Sequence, residues 1–419
     1  LPAMAQMWRT GLPWNKESLE QCLIDYEDDA TEMGKEFIRE LDNALPEDQK
    51  LPRDDDGEFN LRAKDEGSIR LGTKKYKGFN IKSSKQLLEK LEILLKYSPT
   101  DSKGKKSVSR EALRKCAADS EAIQTLMNWK KTEKRRQMLA SIQEKMADDG
   151  FVRASYMQLG ADTGRMSSIK PNNQQIPRDS EFRQCVEAPE GWLIVDADFS
   201  QMELRLAAAL ANDKNMIKAF KDGADLHDYT AEQMGCDRQI AKSANFGLLY
   251  GAGSEGLRNY AGSSGVLMTL DEAGKVRDNW LNAYSGIRDW QSKNYLEAKE
   301  TKDDDWAETR VPVSGMRRFL KGDLNRITVR CNTPIQGAGA AILKCALGKI
   351  WSKVKDAGED TVKIAAAVHD EILLLVREEH AEEWAKTLKE VMELSESLWL
   401  GEIPALAEVQ IGKTWREVH

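Results

Sequence analysis

The pattern of apolar and polar positions changes character near Gly150. Before it, apolar residues recur at helical spacing. Residues 15–47 mix acids with apolar positions until Pro46 stops the pattern. Residues 84–97 place Leu87, Leu88, Leu91, Leu94 and Leu95 on one side of a helix, with Ser84 as its candidate cap. Gly104 marks a joint, and the chain reads as helical and basic from Ser109 to about Lys145. Residues 50–80 read as loop, with the acidic run Asp54-Asp55-Asp56-Gly57 and the run Lys74-Lys75-Tyr76-Lys77-Gly78. After Gly150, short apolar runs bounded by Gly, Pro and Asn suggest strands. Trp192-Leu193-Ile194-Val195 is one, and a helical pattern follows from Leu204 to Phe220. Residues 237–250, 271–297, 332–354 and 378–395 predict further helices. Lys363 to Val368 and Glu371 to Val376 flank His369-Asp370, which predicts a tight β-hairpin with a charged turn. No internal repeat is visible. The class is α+β: a mostly helical body around a small antiparallel sheet.

Composition narrows the picture. With 419 residues, 41% of them hydrophobic and 31% charged, two or three domains with buried cores are expected. No apolar stretch approaches the roughly 18 residues of a membrane span. The start shows no signal peptide and no initiator Met, so the chain reads as part of something longer. Six cysteines lie far apart without a CxxC, which disfavours disulfides and zinc and points to a reducing, cytoplasmic compartment. Lys plus Arg is 62 against 69 Asp plus Glu, a net charge of −7. Between Asp101 and Arg136, however, eleven bases face five acids, locally about +6. That run, which includes Lys130, Lys131, Lys134, Arg135 and Arg136, is either a solvated helix face or a surface for phosphates.

Two clusters carry candidate chemistry. Asp196-Ala197-Asp198-Phe199-Ser200-Gln201-Met202-Glu203-Leu204-Arg205 takes a strand ending in carboxylates directly into a helix. Val368-His369-Asp370-Glu371 puts carboxylates at a hairpin tip. Each aspartate alone could be a turn residue or helix cap. Together, Asp198 and Asp370 could share two Mg²⁺ ions about 3.5–4 Å apart, since Mg²⁺ favours one or two carboxylates plus substrate phosphates. Farther along, Arg238, Lys242, Phe246 and Tyr250 recur every four residues, so one helix face would carry two cations and then two aromatics. That suits a triphosphate followed by sugar and base, or else a surface helix with a half-buried aromatic stripe.

Taken in order, DFSQMELR, RxxxKxxxFxxxYG and VHDE resemble motifs A, B and C of the DNA polymerase I family, family A. Thr163-Gly164-Arg165-Met166-Ser167-Ser168 running on to Asn173-Gln174-Gln175-Ile176-Pro177 is similar to a further family block. So are Asp225-Leu226-His227, Asn332-Thr333-Pro334-Ile335-Gln336-Gly337, Phe79-Asn80-Ile81-Lys82-Ser83, and the ending from Gly412 through Trp415 to His419. The resemblance spans nearly the whole chain. It implies a right-hand fold with an antiparallel palm sheet and largely helical thumb and fingers. The palm would be 1–28, 151–207 and 321–419, the thumb 29–150 and the fingers 208–320.

The resemblance further implies template-directed extension of a primer 3′-OH by dNTPs, with pyrophosphate released. Asp198 and Asp370 would hold two Mg²⁺ ions, Mn²⁺ being able to substitute. Arg238 and His227 would bind the β- and γ-phosphates, and Lys242 would protonate the leaving pyrophosphate. Gln201 would line the nucleotide site, Phe246 would pack on the sugar, Tyr250 would guard the templating base, and Glu203 would block a ribose 2′-OH. Arg165, Asn332, Gln336 and His369 would contact primer–template, and the basic thumb run would grip the duplex backbone. Asp196 and Glu371 would support the metal site. The implied partners are DNA and dNTPs, without a membrane or a second copy of the chain. No exonuclease domain is expected within these residues. The stretches between blocks look phage-like, which would place the chain in a host cytoplasm. A single-subunit RNA polymerase, and an inactive DNA-binding relative, are the alternatives that Glu203, Asp198, Lys242 and Asp370 argue against.

Overall fold

The computed structural model describes residues 2–418 except 52, 54–58, 60, 65–67, 72–78, 102, 103, 179 and 305. The acidic run at 54–57, the basic run at 74–78, Lys103 and His419 therefore lie outside the described residues. The chain divides into two compact units, Asn15–Met146, and Leu1–Trp14 with Ala147–His419.

The first unit is helical. Helix α1, Lys16–Ala44, starts where the Asn15 side chain accepts a hydrogen bond from Ser18 N at 3.0 Å. Its stripe Leu19, Cys22, Tyr26, Ala30, Phe37 and Leu41 is buried. The thumb boundary expected at 28/29 falls inside this helix. Helix α2, Ser84–Leu95, is capped by Ser83, one residue earlier than expected, its hydroxyl accepting from Gln86 N. The single helix expected from Ser109 to Lys145 is two: Arg110–Lys115, and α3, Glu121–Lys145. Phe37, Leu41, Leu87, Leu91, Leu126 and Trp129 share one core. Each such side chain contributes about 1.5–3 kcal/mol on burial.

The second unit is built on a four-stranded antiparallel sheet, with strands β1 Trp192–Phe199, β2 Val362–Val368, β3 Glu371–Arg377 and β4 Ala407–Gly412 in the order β2-β3-β1-β4. Strand β1 is longer than its apolar run, because pairing with β3 and β4 on its two sides carries it through Asp196 and Asp198 to Phe199. The other helices that frame the site are α4 Met202–Ala211, α5 Leu226–Met234, α6 Arg238–Leu248, α7 Leu270–Ala283, α8 Ile327–Ala357 and α9 Ala381–Leu400. The helix expected over 271–297 breaks at Tyr284 into α7 and Ser285–Glu300. Asp213 Oδ2 caps the second piece, accepting from Gly286 N at 2.8 Å and Ile287 N at 3.2 Å. Helix α8 begins at Ile327 and keeps Pro334 inside, giving up one helical N–H. Among the described residues no helix is long and apolar enough to cross a membrane.

Candidate active site

The antiparallel register brings together two aspartates 172 residues apart in the chain. Glu371 stands opposite Asp198, and Phe199 N–H donates to the Asp370 carbonyl at 3.3 Å. The β2–β3 loop is only His369-Asp370, as the hairpin pattern predicted. His369 adopts φ +57°, a left-handed conformation that costs a residue with a Cβ about 1–2 kcal/mol.

The carboxylates differ in how their charge is met. Asp198 Oδ1 is buried without a hydrogen-bond partner. Burial first, then Asp370 and Glu371, push the Asp198 carboxyl up to about 7, while Arg178 pulls the other way. Burial also raises Asp370, opposed first by a hydrogen bond from its own backbone N–H and then by Arg178 and His369, with Glu203 adding repulsion. Asp196 is 3% exposed, and burial followed by Glu371 raises it strongly. Glu371 already has partners of its own: Trp415 Nε1 donates to its Oε1 at 2.5 Å, and Arg183 Nη1 lies 3.4 Å away. The Arg183 guanidinium also stacks 4.0 Å over the Trp415 ring. Among the described residues no set of three or more His, Cys, Asp or Glu side chains is placed to hold a metal ion. Asp198 and Asp370 nevertheless suit a divalent cation that takes its remaining ligands from substrate oxygens. An orphaned buried carboxylate oxygen beside a second raised carboxyl is the arrangement such an ion relieves.

Beside this corner, α6 is capped by Asp237, which accepts from Gln239 N at 2.7 Å. Arg238 and Lys242 are exposed on it and Phe246 is half-buried. Tyr250 is not helical as expected; it lies past the last helical residue, Leu248, in a turn that Gly251 closes at φ +77°. Arg238 is held by Asp228 at 2.6 Å and Asp225 at 3.3 Å. Gln201, left-handed at φ +53°, donates from Nε2 to Asp225 Oδ2 at 3.1 Å, which ties motif A to the cationic helix. Glu203 pairs with Arg165 and accepts the Tyr250 hydroxyl. Burial, then the Glu203 charge, push the Tyr250 phenol upward, and Gln336 also bonds it. Glu203, Arg165, Tyr250 and Gln336 thus form one polar cluster. His227 is buried, with Asn245 Nδ2 3.0 Å from its Nδ1. Arg165 and His369 line a small cleft with Met202 and Gly339. Gly337 on α8 lets that helix approach closely: a Cβ there would stand 2.3 Å from Val311 Cγ2. Asn332 is half-buried on the same helix.

The basic run of the other unit departs from expectation. Lys131 and Lys134 are exposed, but Arg136 is 7% exposed, with its Nε donating to Glu133 at 2.9 Å. Five cations at positions 130, 131, 134, 135 and 136 span too much of a helix's circumference to share one face. Arg136 is therefore a structural ion pair rather than a phosphate contact. Lys130 and Arg135 are half-buried; burial lowers the Lys130 pKa, and Arg135 Nη1 reaches Tyr26 OH at 3.5 Å. Two contributors escaped the sequence reading. Arg178 is the cation that offsets both Asp198 and Asp370, and no spacing marks it beyond its place just after Ile176-Pro177. Arg183, which fixes Glu371, sits in an unremarked five-residue helix, Ser180–Gln184.

Comparisons with known proteins agree on one family. A family model described as DNA polymerase family A matches residues 64–417. DNA polymerase I of Aquifex aeolicus (strain VF5) is 35% identical over 344 residues, 80% of this chain and 58% of that protein. Thermostable DNA polymerase I of Thermus filiformis is 30% identical over 365 residues, 81% of this chain and 42% of that protein. This chain thus spans about half the length of those relatives. Among solved structures, the POL domain of Pol1 from M. smegmatis, in complex with DNA primer–template and dNTP, superposes with TM-score 0.78. It is 23% identical and covers 99% of this chain and 70% of that one.

Proposed function

This chain belongs to DNA polymerase family A, and we propose that it extends a primer 3′-OH with template-selected dNTPs, releasing pyrophosphate. The observation that carries the proposal is the sheet corner where Asp198, with one buried carboxylate oxygen lacking a hydrogen bond, meets Asp370, both raised by burial that Arg178 only partly offsets, beside a helix that presents Arg238, Lys242 and Phe246. Asp198 and Asp370 would hold Mg²⁺, or Mn²⁺ in its place, and the bound ions would supply Lewis-acid stabilisation of charge on the reacting oxygens. In the reaction, the primer 3′-OH would lose its proton to water as its oxygen bonds to the α-phosphorus, and the α–β bridging bond would break with its electron pair leaving on pyrophosphate. Arg238 would exchange Asp225 and Asp228 for phosphate oxygens, with His227 beside it. Lys242, exposed to solvent, would give a proton to the leaving pyrophosphate. Phe246 would pack on the sugar and Gln201 would line the pocket. Glu203, fixed by Arg165 and Tyr250, would leave no room for a 2′-OH, and Tyr250 would face the templating base. Arg165, Asn332, Gln336 and His369 would meet primer–template. In the unit Asn15–Met146, Lys131 and Lys134, flanked by Lys130 and Arg135, would touch the duplex backbone.

The test is primer extension in Mg²⁺ with each templating base, offering dNTPs and rNTPs separately. Insertion of the complementary dNTP, with rNTPs roughly 100-fold poorer or worse, is expected. No extension, or equal use of rNTPs, would overturn the reading.

A further inference from the structure

Two turns along α6 from Arg238, Asn245 is completely buried and bonded on several sides. Trp280 Nε1 donates to its Oδ1 at 2.7 Å. An indole N–H can only donate, so the amide oxygen of Asn245 has to face Trp280 and the NH₂ has to face the opposite way. There, Nδ2 lies 3.0 Å from His227 Nδ1 and 3.0 Å from Thr230 Oγ1, with the Leu226 carbonyl farther off at 3.4 Å, so the two amide hydrogens go to the two nearer atoms. An amide NH₂ also only donates, so Nδ1 of His227 accepts and carries no proton. Thr230 completes the network. Its own hydrogen goes to the Leu226 carbonyl at 2.5 Å, so the Tyr284 hydroxyl, 2.6 Å away, donates to it. Turning the amide over would set its NH₂ against the Trp280 N–H, donor against donor, in a dry site.

We propose that Asn245, itself oriented by Trp280, is a positioning residue that holds His227 in the neutral tautomer with its proton on Nε2, so that the ring offers a hydrogen-bond donor to a nucleotide phosphate. This rests on the reading of His227 as a phosphate contact. The charged groups around the ring are Asp225, Asp228, Arg238 and Lys242. Burial is the largest influence on His227 and favours the neutral form, as do Arg238 and Lys242, while the two aspartates oppose them. Phe246 covers the ring at 5.3 Å between centroids. Arg238 and Lys242 then bring positive charge to the triphosphate, and His227 brings a directed donor that does not depend on titration.

The chain has four histidines, so imidazole nitrogens are separable in long-range ¹H–¹⁵N spectra, with His227→Gln identifying the signal. In the full chain without nucleotide, His227 should be the neutral Nε2–H form at pH 7. Asn245→Asp keeps the shape and replaces the donor by an acceptor, so Nδ1 should become protonated. Trp280→Phe keeps a ring but frees the amide, so a mixture of tautomers should appear. In both variants KM for dNTP should rise about tenfold, by more than kcat falls. A wild-type ring that is charged or protonated on Nδ1, or two variant spectra identical to wild type, would overturn the proposal. Because the spectra need no activity, the expected tautomers in a chain that extends no primer would refute the functional reading and leave the positioning role standing.

Discussion

Two clusters of buried charge show what this chain does with ions it keeps and ions it leaves open. In the unit Asn15–Met146, Glu133 is enclosed by Arg136 at 2.9 Å, Lys82 at 2.5 Å and Gln137 at 2.7 Å. Burial would raise its pKa, but these partners outweigh burial and hold it below the usual range. In the other unit, Asp198 and Asp370 meet with no such enclosure and their pKa values go up. The first cluster is neutralised from within the chain. The second is left for something outside it, which is the physical signature of a functional site. Glu396 tests how far that rule reaches: it is buried, raised to about 7 chiefly by burial, and has one oxygen without a partner. Its other oxygen accepts from Leu406 N at 3.2 Å, and Arg205 only partly offsets the burial. An unmet charge therefore marks a site only where it faces a second one.

The largest effect should come from the open pair. Asp198→Ala or Asp370→Ala should lower the extension rate by at least about 10³-fold, on the order of 4 kcal/mol in the barrier, with primer–template affinity little changed. Extension within tenfold of wild type would erase the contrast. In the closed cluster, Glu133→Ala should remove the buried carboxylate that Arg136, Lys82 and Gln137 share, destabilising the unit by about 3–5 kcal/mol in denaturant unfolding while sparing the chemistry of the folded fraction. A cost below about 1 kcal/mol would show that Arg136 escapes to solvent.

Glu396 supplies the pH test. Its folded pKa is raised, so its contribution is fully present below about 4.5 and is lost as pH rises through about 7. Over that window wild type should lose up to about 1.4 kcal/mol per pH unit relative to Glu396→Gln. Parallel stability curves would refute this. Phe246→Tyr should relax discrimination against dideoxynucleotides by roughly tenfold to hundredfold, since a phenolic OH can replace the missing 3′-OH as a partner for phosphate. The ratio of kcat/KM for dTTP over ddTTP reads it, and an unchanged ratio would move Phe246 away from the sugar. The smallest effect is electrostatic. Lys131→Ala with Lys134→Ala should reduce the slope of log affinity against log salt by about 2 for duplex DNA, and adding Arg136→Ala should not reduce it further.

Local signals carried much of this into the sequence. His369-Asp370 between two apolar runs specified the hairpin, and the four-residue spacing of Arg238, Lys242 and Phe246 specified one helix face. What the sequence hid depended on tertiary partners. Nothing local says that a new helix starts after Tyr284, because its N-terminal cap is Asp213, over 70 positions away. Nothing local shows that Glu371 is already engaged, because Arg183 and Trp415 reach it from distant segments. The net charge of the basic run concealed Arg136, since counting charges ignores which side of the helix each one occupies.

Everything proposed for the metal site depends on divalent ions completing Asp198 and Asp370, whose carboxyls burial raises and Arg178 only partly offsets. Counting bound Mn²⁺ by electron paramagnetic resonance, in the chain with dideoxy-terminated primer–template and the complementary dNTP, tests this most directly. Wild type should bind more Mn²⁺ than the Asp198→Asn/Asp370→Asn double variant at equal complex concentration. Equal stoichiometry in the two proteins would contradict it.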